Sequence, residues 1–266
     1  MRDSGYAGLG EEIQVYWDGR ATSYSNGVRG ELADNRGEAW RHVMAREARN
    51  VLEAARLQGR EPRVLDLGCG PGFFTVLFTQ MGCQVDAVDT SAEMLDRARA
   101  NLAAAAPEAK AAFHQGDIAS LPFDDDTFDL AVSRNVTWLM REPEATYAEW
   151  LRVLRSGGKF LAFDANWYLY LADPELAAAR RADMDGNVLE GWDEEAQATS
   201  QQEDWCEQIA RDLPLTPVVR PAWDEETLRA LGAAVRIDEG IWRELWTPNE
   251  QSFYASSPMF MVEAVK

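Results

Sequence analysis

Histidine is nearly absent from this chain: two residues, His42 and His114, in 266. Neither sits in a recognisable catalytic motif, so a histidine metal centre or a Ser-His-Asp triad would have to recruit an isolated imidazole. Cysteine is almost as scarce. Cys69, Cys83 and Cys206 lie far apart, without zinc-ligand spacing and too few for a disulfide framework. Positive charge is short too: 26 Lys and Arg against 45 Asp and Glu leave a formal net charge of −19. Nucleic-acid binding depends on cations clustered at phosphates, so no nucleic-acid partner is expected. No apolar run approaches the roughly 20 residues of a membrane helix. The opening stretch, MRDSGYAGLGEEIQ, lacks the charged-then-apolar layout of a secretory signal. The expectation is a cytoplasmic protein with no membrane partner. Internal repeats and low-complexity linkers are missing as well.

What is present suffices for a large core. The hydrophobic fraction is 46%, ordinary for a globular protein, and the length suits one domain carrying an insertion. Residues 11–25 read as a moderately helical segment with a weak point at Gly19. Residues 38–57 place Trp40, Val43, Met44, Ala48, Val51, Leu52 and Ala55 at helical spacing, which predicts one amphipathic helix. Strands and helices then alternate. RVLDLG is a strand, a helix opens at Pro71 and closes at Gly82, and CQVDAVD is a second strand. A helix capped by Thr90 or Ser91 follows, then AAFHQGD, FDLAVSRN, the helix EATYAEWLRVLR and the strand KFLAFDAN. Such alternation over 63–166 predicts a doubly wound α/β sheet with parallel strands and right-handed crossovers. Its ligand belongs at the carboxyl ends of the strands. VRIDEGIWRELW and MFMVEAVK read as two further strands that pair antiparallel at the sheet edge.

Residues 64–74, VLDLGCGPGFF, bare the backbone where the first strand meets its helix. Glycines at 68, 70 and 72 allow a tight turn and close ligand approach. The helix that follows offers free N–H groups to a carboxylate or a phosphate alike. A dinucleotide fingerprint needs a third glycine where Phe73 stands, and no lysine follows Gly72 as a phosphate loop requires.

The stretch D-x-G-x-G-x-G, Asp66 to Gly72, resembles the first motif of class I S-adenosylmethionine-dependent methyltransferases, small-molecule type. The resemblance extends over about 63–166 and, more weakly, the last two strands. It implies a Rossmann-like, mostly parallel seven-stranded sheet with the last strand antiparallel. The helical, acidic run after Asn166, about 167–221, reads as an insertion that forms a helical lid over the ligand cleft. The resemblance also implies S-adenosyl-L-methionine as cofactor. Asp66, Gly68, Cys69 and Gly70 then wrap the methionine part, with Asp66 near its amino group. Asp89, nineteen residues after Gly70, binds the ribose hydroxyls, for which two carboxylate oxygens are suited. Dinucleotide folds use the same acid, so Asp89 alone does not discriminate. In GDIASLPFDDDTFD, Asp117 accepts from the adenine amino group and Ile118 offers its backbone N–H. Thr90, Met94 and Arg134 complete the expected cofactor contacts. An N-terminal helix of the pattern in YWDGRATSYS covers the cofactor in similar methyltransferases, which nominates Tyr16 and Tyr24.

Methyl transfer from a sulfonium is an in-line displacement that needs positioning more than a fixed triad. In SRNVTW, relatives place a histidine or other polar residue near Asn135, so a strong base at that point is in doubt. Asn135 and Asp164 are the catalytic candidates: Asn135 orients a substrate or contacts the methionine end, and Asp164 holds a cation or acts as base. Trp138, Asn166 and Trp167 are the substrate candidates, with Trp138 equally readable as core. Trp192 and Trp205 lie among Asp193, Glu194, Glu195, Glu203, Asp204 and Glu207, which suits a cationic acceptor or merely a solvated helix face.

The chain accordingly divides into an N-terminal helical cap with the first sheet helix (1–60), a cofactor-binding core (61–166), a helical lid insertion (167–221), and a C-terminal helix with two edge strands (222–266). The function expected is methyl transfer to an N, O or S atom of a small molecule. The alternative is a non-catalytic S-adenosylmethionine-binding protein. An NAD-dependent oxidoreductase is disfavoured by Phe73 and the GDI stretch. A nucleic-acid methyltransferase is disfavoured by charge and by the lack of an N/D-P-P-Y/F motif. No metal is called for.

Overall fold

The computed structural model describes residues 5–109, 111–185, 189 and 197–266. Three helices come first: α1 (Gly5–Ala33), α2 (Asn35–Glu47) and α3 (Arg49–Leu57). An alternating run follows: β1 (Arg63–Leu67), α4 (Phe73–Gln80), β2 (Gln84–Asp89), α5 (Ala92–Ala105), β3 (Ala111–Gln115), β4 (Phe128–Arg134), α6 (Pro143–Val153) and β5 (Leu154–Asp164). The remainder holds α7 (Pro174–Met184), α8 (Ser200–Arg211), α9 (Ala222–Ala230), β6 (Ala234–Asp238), α10 (Trp242–Leu245), α11 (Pro248–Phe253) and β7 (Phe260–Val265).

The seven strands form one sheet in the order β3-β2-β1-β4-β5-β7-β6. β1 pairs in parallel with β2 and with β4, and the chain reverses its winding between them. β7 lies antiparallel between β5 and β6. This is the doubly wound, mostly parallel sheet that the alternation predicts. β1 and β4 are buried almost from end to end, as expected of strands covered on both faces. On one face Trp40 of α2 meets Phe73, Phe74 and Phe163 with ring centroids 5.5, 5.5 and 4.9 Å apart. On the other, Tyr147 and Trp150 of α6 pack on Phe160.

Three local expectations change. α1 passes straight through Gly19. Glycine costs a helix about 1 kcal/mol, but α5 and its cap Ser91 donate three hydrogen bonds to α1: Ser91 to Asp18 (2.5 Å), Arg97 to Thr22 (2.8 Å) and Asn101 to Ser25 (3.0 Å). The helix expected over 38–57 is two, parted at Ala48. The sequence 242–245 is helical rather than strand. Gly240 turns the chain after β6, and Thr247 and Glu250 form a capping box at α11.

No described helix is long and apolar enough to cross a membrane.

Candidate functional site

The β1–α4 loop is shaped by its glycines. Gly68, Gly70 and Gly72 all have positive φ, +62°, +50° and +87°. A Cβ on Gly68 would stand 2.7 Å from Val136, and Gly70 lies beneath the ring of Tyr24. A side chain at Gly68 therefore brings both strain and collision. The loop opens into a cleft of about 450 Å³ at the carboxyl ends of β1, β2 and β4.

Among the described residues, the cleft gathers Tyr24, Gly68, Gly70, Asp89, Thr90, Met94, Asp117, Ile118, Arg134 and Asn135 from the expected set. Asp89 ends β2, where its carboxylate accepts the N–H groups of Gly70 (2.8 Å) and Ser91 (2.9 Å). Burial pushes its pKa up to about 6, against the pull of those N–H groups. Ser91, rather than Thr90, caps α5 by accepting from Met94 N–H at 3.0 Å. Asp117 is held twice: it accepts the Ala119 N–H at 2.9 Å and pairs with Arg141. Gly10 of α1 packs against that guanidinium: a Cβ there would stand 3.0 Å from Arg141 Nη1, so the arginine would have to give slightly.

Several expected residues lie elsewhere. Asp66 is buried beneath the loop, where Thr75 Oγ1 donates to it at 2.6 Å. Cys69 is buried and only its neighbours line the cleft. Tyr16 faces away, edge-on to Trp205 and packed with Cys206. Asp164 is fully buried and turns inward, accepting from the Thr137 hydroxyl, the Trp138 N–H (3.0 Å) and the Ala165 N–H (2.8 Å), with Arg220 at 3.5 Å. A carboxylate so engaged is in no position to take a proton from a substrate in the cleft. Trp138 packs on Tyr168 and donates its indole N–H to Asn135 O at 3.0 Å. Asn166 exchanges hydrogen bonds with the backbone of Arg220. Trp167 packs against Trp246 and Tyr254.

The cleft also contains residues outside the expected set: Gly10, Gln14 and Trp17 from α1, Gln115 at the end of β3 and Gly116 after it, and Val136, Leu139 and Arg141 after β4. The signal for α1 was present. Gly10, Trp17 and Tyr24 are spaced by seven, two helical turns, and so share one face. Leu9, Ile13 and Tyr16 fall on the adjoining face, which packs on Cys206, Ile209 and Ala210 of α8. α1 is thus the roof of the cleft and α8 backs that roof. No described residue of 167–221 lines the cleft. Trp192, Asp193, Glu194 and Glu195 lie outside the described residues. Trp205 donates to Glu12 of α1 at 2.8 Å, and Glu207 accepts from Tyr170 at 2.6 Å.

Asp66 carries a pH signature. Burial, with the charge of Asp89 adding to it, pushes its pKa up to about 7, while Thr75 opposes the rise. In the unfolded chain an aspartate titrates near about 4. Between those values the folded chain holds a proton that the unfolded chain has lost, so stability falls as pH rises through the window. Relative to Asp66→Asn, the wild type should lose roughly 2–4 kcal/mol between about pH 4 and pH 8. Urea unfolding of both proteins across that range measures it; a gap that stays constant would mean Asp66 does not titrate there.

Residues 65–162 match the family model described as a methyltransferase domain. A malonyl-[acyl-carrier protein] O-methyltransferase of Erwinia billingiae is 39% identical over 108 residues, which is 41% of this chain and 40% of that protein. The 24-methylenesterol C-methyltransferase 2 of Oryza sativa subsp. japonica is 30% identical over 186 residues, 67% of this chain and 51% of that protein. The chain thus spans about half the length, or less, of these relatives. Among solved structures, an S-adenosylmethionine dependent methyltransferase from Mesorhizobium loti superposes with a TM-score of 0.53 at 20% identity, covering 84% of this chain and 97% of the other. That likeness is one of fold.

Proposed function

From the match of residues 65–162 to a methyltransferase domain, we propose that the chain is a class I S-adenosylmethionine-dependent methyltransferase that transfers a methyl group to an N, O or S atom of a small molecule. The observation that carries this reading is the convergence of nine expected cofactor-side residues, with the catalytic candidate Asn135, on one cleft at the strand ends. When bound, S-adenosylmethionine supplies a methyl group already activated by its sulfonium.

The chain's residues supply the rest. Asp89, held by two backbone N–H groups, presents acceptor oxygens to the ribose hydroxyls. Asp117, pinned by Arg141, and the backbone of Ile118 stand at the adenine end. Gly68 and Gly70, whose positive φ disfavours any side chain, shape the loop that receives the methionine portion. Trp17 and Tyr24 close the cleft from above and exclude water. Asn135 is the acceptor-side residue: its left-handed backbone (φ +57°) is fixed by its own N–H to Phe163 O at 2.8 Å and by Trp138. Asp66 and Cys69 underpin the loop, and Tyr16, Trp138 and Asp164 support the walls. The net charge of −19 favours a cationic acceptor only in a general way, because Trp205 and Glu207 are turned to α1 and to Tyr170.

Calorimetric titration with S-adenosylmethionine, S-adenosylhomocysteine and NADH tests the reading. Binding of the first two without NADH is the expected result. NADH binding alone would overturn it. Turnover with an acceptor separates an enzyme from a cofactor-binding protein without catalysis.

A further inference from the structure

Glu31, near the end of α1, is a carboxylate that stands behind the cleft rather than in its lining. It is 2% exposed, and both of its oxygens are occupied. Arg134 Nη2 donates to them at 2.8 and 3.0 Å, and Trp40 Nε1 of α2 donates to one of them at 3.1 Å. A carboxylate kept this dry needs a cation, and the fold supplies it from the cleft wall. Arg134 ends β4 and lines the cleft beside Asn135. Its guanidinium lies over the rings of Trp40 and Phe73, 4.6 and 4.5 Å from their centroids. Further back, the charge of Glu31 also acts on Arg36, which pairs with Asp34 at 2.7 Å and with Glu250 at 3.4 Å.

Arg134 serves one end of the cleft. β1 and β4 run in parallel with Asp66 opposite Val132, so Arg134 leaves the sheet alongside Gly68. Phe73, in contact with its guanidinium, directly follows Gly72. With Asp117 and Arg141 at the adenine and Asp89 at the ribose, Arg134 falls at the methionine end. The anionic group of that end is the methionine carboxylate. Nη2 is committed to Glu31, and Nε is buried without a partner among the described residues, so Nη1 is the donor left for a ligand.

A guanidinium–carboxylate bond is charge-assisted and directional, so its strength depends on how well the guanidinium is held. The two rings hold it by its faces, and Glu31 fixes its rotation. The Arg134–Glu31 pair has no net charge, so what it offers a zwitterionic amino-acid head is orientation rather than bulk attraction. Without Glu31 a largely buried cation would lose its counter-ion. The remedy open to a long side chain is then to swing into solvent.

Resting on the proposed use of S-adenosylmethionine, we propose that Glu31 is a positioning residue. Acting through Arg134, it aims a fixed guanidinium at the carboxylate of the cofactor's methionine portion. α1 thereby acts twice: Trp17 and Tyr24 roof the cleft, and Glu31 sets a donor in its wall.

The test is calorimetric titration of the whole chain with S-adenosylhomocysteine and with S-adenosyl-3-thiopropylamine, which lacks only the carboxylate. The wild type is expected to bind the first roughly tenfold to a hundredfold more tightly. Arg134→Gln should erase that preference. Glu31→Gln, which keeps the size of the side chain, should cut it roughly threefold or more, with affinity for the thiopropylamine held within about twofold. Glu31→Asp, which keeps the charge but draws it back by one methylene, should fall between. A general loosening of the fold would weaken both ligands alike and keep their ratio, and that result would overturn the positioning role. So would a Glu31→Gln ratio above that of the wild type, since Glu31 would then restrain Arg134 from the ligand. Equal affinity of the wild type for the two ligands would take Arg134 off the carboxylate and leave the methyltransferase reading standing. If neither ligand binds, both readings fall.

Discussion

Asp89→Ala is expected to weaken S-adenosylhomocysteine binding by roughly tenfold to a hundredfold, about 1–3 kcal/mol. The ribose hydroxyls lose a charged acceptor, and the Gly70 and Ser91 N–H groups lose the carboxylate that fixes the loop. The same residue should give the binding a pH dependence. Burial holds the Asp89 pKa up at about 6 in the free protein, and donated hydrogen bonds favour the ionised form. Below that value the proton has to leave before the ligand binds, so affinity falls by up to about tenfold per pH unit. Calorimetry in buffers of different ionisation heat detects the released proton directly. Unchanged affinity in the variant would take Asp89 out of the site.

The larger effect on stability belongs to a residue far from the glycine loop. Arg220 is buried with its guanidinium on Asp224 at 2.7 Å, on the Thr137 hydroxyl at 2.6 Å and near Asp164 at 3.5 Å. Tyr147 donates to the same Asp224. Arg220→Met keeps much of the volume but leaves two carboxylates buried without their cation. Removing one partner of a buried pair costs about 3–5 kcal/mol, and urea unfolding near neutral pH should show a loss of that size. Adding Asp224→Asn should restore part of it, because the second charge goes with the first. A loss below about 1 kcal/mol would mean that the carboxylates find other partners. The network also anchors the turn from Val136 to Leu139, two of whose residues line the cleft, so a weaker variant should lose cofactor affinity as well.

The sheet, and the gathering of the glycine loop and Asp89 on one cleft, were legible because local rules govern them. Asp66-x-Gly68-x-Gly70-x-Gly72 announces itself through a backbone only glycine adopts easily, and Asp89 through its place at a strand end. Contacts between distant segments leave no such trace. Nothing near Asp117 signals that Arg141 will bind it, and nothing near Asp164 announces Arg220, 56 residues on. The sequence reading therefore offered Asp164 to the substrate, although the fold buries it. For α1 the error was one of period. Tyr16 and Tyr24 stood out as aromatic, but eight residues apart they turn to different faces, whereas the seven-residue step from Trp17 keeps the cleft side. The strand expected over 235–246 ends at Asp238, and its second half failed for a different reason. Its Ile, Trp and Leu suit a strand or a short buried helix equally, and the turn at Gly240 decides between them.

The place of β7 has a consequence for how the protein is made. β6 emerges from the ribosome first, and the strand that separates it from β5 follows only after α10 and α11. Until residues 260–265 appear, β5 and β6 each have a bare edge and no register to share. At about 5–20 residues per second those edges stay open for seconds, and unpaired strand edges are prone to aggregation. The sheet closes from within, when its last strand slides between two that are already waiting.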